Sequence, residues 1–105
     1  MDNDLPLSEQ FRIIAKRWVD ADAAASILEE SKSAFLSRLM IEKGDMPVSK
    51  AEMQVKASQE WQEYIDNMTT TRANAAKLKV QLEYIRMKFN EWQSFEATKR
   101  AEMKL

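Results

Sequence analysis

The 105-residue chain contains no cysteine, no histidine, one glycine and two prolines. Without cysteine there is no disulfide and no thiolate nucleophile. Without histidine there is no imidazole acid–base chemistry and no zinc site of the Cys/His kind. No Gly-rich phosphate loop, G-x-S-x-G or E-x-x-H motif occurs. No apolar run approaches the roughly 20 residues needed to span a bilayer. The first six residues, from Met1 to Pro6, are acidic and lack the basic and apolar regions of a signal peptide. These absences point to a soluble, cytoplasmic protein. No segment alternates with period two, so no sheet is expected, and nothing repeats at solenoid periods.

What remains is a helix-rich composition of Ala, Leu, Glu, Lys, Gln and Met, 45% hydrophobic. A chain this short forms one domain, 1–105. Its seven methionines suit adaptable packing surfaces, or are simply good helix formers. The pattern predicts two long helices, about 7–43 and 49–104, joined by a turn over 44–48. In the first, Leu7, Phe11, Ile14, Trp18, Ala21, Ala25, Leu28, Phe35 and Leu39 form a seam with alternating steps of four and three. Small side chains at Ala21 and Ala23–Ala25 would let another helix approach closely. Lys32 interrupts the seam and is expected to set register by pairing with an acidic residue. Ser8 is the expected cap of this helix, with Glu9 in its first turn. Gly44 suits the left-handed residue that ends it. Residues Ser49 to Glu52 match a capping box, which predicts the second start.

The second seam runs through Ala57, Trp61, Tyr64, Met68, Thr71, Ala75, Leu78, Leu82, Ile85, Phe89 and Trp92. It then turns polar at Glu96 and Lys99 before Met103. Thr69–Thr71 are three β-branched residues, weaker helix formers, so a break near 69–73 is one option. The seam keeps its phase across them, which favours a continuous helix. Folded back as an antiparallel hairpin, helix 1 would leave roughly 18 residues of helix 2 uncovered, about 27 Å. Phe11, Trp18, Phe35, Trp61 and Tyr64 are expected core. Phe89 and Trp92 fall beyond the cover, with Phe95 displaced to a flank. Such a stripe is buried by a second copy, by a different protein, or within the monomer.

The net charge is −1, but it is uneven. Residues 1–71 carry 8 basic and 13 acidic side chains; residues 72–105 carry 8 basic and 4 acidic. Arg72, Lys79 and Arg86 would share one helical face. Lys88, Lys99 and Arg100 beside Trp92 would suit single-stranded nucleic acid, whose bases stack on aromatics. Glu83, Glu91, Glu96 and Glu102 interleave with them, the pattern of an ordinary solvated face. The carboxylates Glu29, Glu30, Glu60, Glu63 and Asp66 sit among Lys and Gln; they read as surface, with a magnesium site as the lesser alternative.

The stretch from Glu83 to Ser94, followed by Glu96 to Glu102, resembles the C-terminal end of small helical proteins encoded by bacteriophages. The likeness covers about the last third of the chain. It implies an accessory protein acting in phage DNA recombination or replication, or on a host protein during takeover. It assigns no catalytic or binding residue.

The expected fold is therefore all-α: a long, coiled-coil-like antiparallel hairpin assembling into a dimeric helical bundle. The expected function is binding rather than catalysis, through self-association and contact with a host or phage protein. The expected contact residues are Phe89, Trp92 and Phe95, with Arg86, Lys88, Lys99 and Arg100 supplying charge. Nucleic-acid binding by the basic C-terminal helix is the alternative. No cofactor, metal ligand or catalytic residue is assigned.

Overall fold

The computed structural model describes residues 4–104, and the chain is all-α. Three helices form: α1 (Leu7–Ile41), α2 (Val48–Lys56) and α3 (Gln59–Met103). Among the described residues they pack as two compact units, one of residues 4–19 with 76–104, the other of Asp20–Ala75. In each unit a stretch of α1 packs antiparallel to a stretch of α3.

Both proline positions mark helix starts. The Pro6 carbonyl accepts the amides of Glu9 and Gln10, and the Pro47 carbonyl that of Ala51. Ser8 and Ser49, the expected caps, therefore lie inside first turns. Pro47 occupies the cap of α2, with no side-chain capping bond there. Gly44 takes the left-handed conformation, with φ of 78°, as its place after α1 predicts.

The expected second helix is two helices, broken at Ala57–Ser58. The reason is phase. The buried stripe of α2 is Ala51 and Val55, and that of α3 starts at Trp61. Six residues turn an α-helix by about 600°, which would leave the two stripes about 120° apart on a continuous helix. The break lets both face the core. Ser58 repairs the ladder. Its hydroxyl donates to the Val55 carbonyl (2.5 Å) and accepts the Trp61 amide (3.3 Å). Gln62 also donates to the Lys56 carbonyl, at 3.1 Å. Thr69–Thr71, by contrast, lie in unbroken helix. The Thr71 hydroxyl bonds back to the Asn67 carbonyl at 2.7 Å, a bond compatible with helical geometry.

In the 20–75 unit, Leu39, Val55 and Trp61 are buried, with Phe35, Leu36, Met40 and Ile65 packed on them. Phe35 stacks on Tyr64, ring centroids 4.4 Å apart and 12° from parallel. The Tyr64 hydroxyl donates to the Leu28 carbonyl. Ala25 and Ala75 are both buried, so a methyl is the largest side chain each site holds. Of the expected small stripe, only Ala25 is buried; Ala23 and Ala24 face solvent. Lys32 does not find the expected carboxylate in this packing: its ammonium lies over the Trp61 ring, 6.0 Å from the centroid. Arg72 does make cross-helix carboxylate contacts, to Glu29 and Asp22.

In the other unit, Ile14, Leu82 and Ile85 are buried, with Leu7, Phe11, Ala15 and Trp18 against them. Every α3 seam position from Trp61 to Ile85 is at least half-buried across the two units, as the sequence predicts. Ala57, the first residue of the predicted seam, falls at the break and is exposed.

Candidate interaction surface

The C-terminal part of α3 keeps the seam spacing of four and three past the point where its cover ends. Leu82 and Ile85 are each 8% exposed; Phe89 is 40% and Trp92 53% exposed. Nothing in the helical pattern changes between Ile85 and Trp92, so the change is in what lies against them. The start of α1 supplies the last cover: Leu7, Phe11, Ile85 and Phe89 line one apolar cavity of about 330 Å³. Beyond Phe89, α3 continues through Met103, and every described position from Asn90 onward except Glu96 is exposed.

Phe89 and Trp92 stack on each other, ring centroids 6.0 Å apart and 28° from parallel. Two large aromatic faces are thus held as one preformed patch. Phe95 is exposed and lies off this line, as its spacing predicts. It continues a second stripe through Val80, Tyr84 and Met87, all exposed. Helical spacing of four, three and eight residues aligns them. That flank was legible in the sequence as a second period, but the stronger seam signal masks it.

The predicted cations are only partly gathered. The Arg86 guanidinium sits 5.7 Å from the Phe11 ring, and the Lys88 ammonium 5.6 Å from the Tyr84 ring. Both therefore lie over aromatic faces beside the patch. Lys99 and Arg100 are exposed on the uncovered length, and Glu96 between them and Trp92 is half-buried. Arg72 leaves the proposed basic face. Its guanidinium is held by Glu29 through Nε (3.0 Å) and Nη2 (2.6 Å), and by Asp22 through Nη1 (2.6 Å). The helical face shared by positions 72, 79 and 86 is thus not a continuous row of free cations.

The perturbed titrations belong to exposed ion pairs. A hydrogen bond from Arg72 holds the Glu29 carboxyl below its ordinary range, and Arg12 does the same for Glu9. Among the described residues no group of three acidic side chains converges to hold a metal ion. No helix among them is long and apolar enough to cross a membrane.

The chain matches no known family pattern, no curated protein and no solved structure with which it was compared.

Proposed function

We propose that this chain is a non-enzymatic interaction module that self-associates, and docks on another protein, through the uncovered length of α3. The observation that supports this reading is the jump in exposure along one seam, from 8% at Ile85 to 53% at Trp92. A surface helix that keeps its apolar period without a neighbour leaves hydrophobic area for another chain to cover. The resemblance to phage proteins adds a proposed setting: an accessory protein whose second partner is a host or phage protein, in DNA recombination or replication or in host takeover.

The test is solution mass by light scattering, for the full chain and for Phe89→Ala with Trp92→Ala. A dimer reduced to monomer, with helicity by circular dichroism retained, supports the reading. A dimer unchanged by the pair of substitutions puts the contact elsewhere, and a monomeric wild type removes self-association.

Nucleic-acid binding is the weaker reading, because Arg72 is engaged by carboxylates and glutamates interrupt the remaining cations. It requires affinity for single strands that falls steeply with salt and is lost on Lys99→Glu with Arg100→Glu.

A further inference from the structure

The seam of α3 ends in two charges of opposite sign. Trp92, Glu96, Lys99 and Met103 follow one another at steps of four, three and four, so they share one line on the helix. We propose that the occupant of this line is the same length of α3 from a second copy of the chain, laid antiparallel, with Glu96 of each copy against Lys99 of the other. This rests on the reading of α3 as a self-associating surface, and it fixes the partner, its direction and its register.

Charge complementarity selects the direction. In a parallel in-register pair, seam positions meet their own equivalents. Glu96 would face a second Glu96, and Lys99 a second Lys99, two like-charge layers in a partly desolvated seam. Antiparallel packing about a two-fold axis between residues 97 and 98 sets Glu96 opposite Lys99, and by symmetry does so twice. The same register sets Trp92 opposite Met103, also twice, which brings a thioether onto an aromatic face. Polar seam residues fix register and orientation in coiled coils by this kind of discrimination.

The start of α1 selects among antiparallel registers. A shift of seven residues inward would drive Met103 of the second copy against Ile85, where Leu7 and Phe11 already lie. That shift also sets Glu96 against Trp92 and loses both ion pairs. A shift of seven outward leaves only residues 99–103 of each α3 in contact. The register in which Glu96 meets Lys99 covers Trp92 through Met103 and stops short of α1. The second copy would then continue, on the same face of α3, the cover that α1 provides up to Phe89. The interface is isologous, as expected of a two-fold dimer.

The experiment is a charge swap read by sedimentation equilibrium. Wild type is compared with Glu96→Lys, Lys99→Glu and the double variant, with circular dichroism on each. Each single reversal creates two like-charge layers per dimer and should weaken dimerisation by about tenfold or more. The double variant restores opposite charges in both layers and should return to wild-type mass. An independent reading uses the absence of native thiols. Glu96→Cys chains mixed with Lys99→Cys chains should form a disulfide-linked dimer faster than either chain alone. Single reversals that leave the dimer intact, or a folded double variant that stays monomeric, overturn this pairing. If Phe89→Ala with Trp92→Ala still abolishes the dimer in that case, the contact surface stands and only its register falls. A wild type that is monomeric at every concentration overturns both.

Discussion

Arg72 meets Glu29 side-on, Nε to Oε2 at 3.0 Å and Nη2 to Oε1 at 2.6 Å, while its third nitrogen reaches Asp22 at 2.6 Å. The Ser26 hydroxyl lies 3.3 Å from Nη2 as well. One guanidinium on α3 thereby spans more than one turn of α1, Asp22 to Glu29. Sliding α1 by one turn within this unit would break the fork, so the contact discriminates register more than it adds stability. Arg72→Met should lower the Tm, by less than loss of a core aromatic. Arg72→Lys should recover little of it, because an ammonium cannot make the planar two-point contact. Thermal melts of the three proteins check this.

The same pair sets a pH dependence. The Glu29 carboxyl is held below its ordinary value in the folded chain, chiefly by the Arg72 hydrogen bond. Its contribution is full above the unfolded carboxylate value of about 4.3 and is lost as pH falls through the lowered folded value. Wild type should therefore lose more Tm between pH 6 and pH 3 than Arg72→Met. Parallel pH profiles for the two would remove the linkage.

Trp61 carries the core of the 20–75 unit: it is buried, stacks near Phe35 and Tyr64, and receives Lys32 on its face. Trp61→Ala should cost about 3–5 kcal/mol by denaturant titration. A cost under about 1 kcal/mol would mean that the aromatic cluster does not form in solution.

Ser58→Ala removes both the hydroxyl bond to Val55 and the acceptor for the Trp61 amide. Loss of such a cap costs about 1 kcal/mol, typical for helix starts. The expected fingerprint is faster hydrogen exchange at the first amides of α3, with the rest of that helix unchanged.

Ala75 is buried, at 1% exposure. Ala75→Leu should destabilise by about 1–3 kcal/mol through overpacking, whereas Ala76→Leu, on an exposed position, should be close to neutral. Equal effects of the two would contradict the close approach at Ala75.

The sequence by itself determined what depends on neighbours three and four residues away. Of the aromatics expected as core, Trp61 is buried and Phe11, Trp18, Phe35 and Tyr64 are half-buried, while Ile14, Leu39, Leu82 and Ile85 on the same seams are buried. The sequence placed the left-handed turn at Gly44, where local backbone preference decides, and carried the helix unbroken through the threonines, where the seam keeps its phase against their weaker helix preference. The exposed end at Phe89 and Trp92 was legible too, since a longer helix outruns a shorter one.

What tertiary structure decided are the relationships that no local period encodes. The break at Ser58 follows from two buried stripes out of phase, which becomes a conflict only once Val55 and Trp61 must face one core. Ala57 and Ser58 themselves carry no strong signal against helix. Lys32 settled over Trp61 rather than on a carboxylate, because the packing sets an aromatic face beneath it. Arg72 found Glu29 and Asp22 across 43 and 50 residues of chain. Spacing within a helix fixes which side chains share a face. Which face they meet, and where that cover stops, is set by the packing of one helix on another.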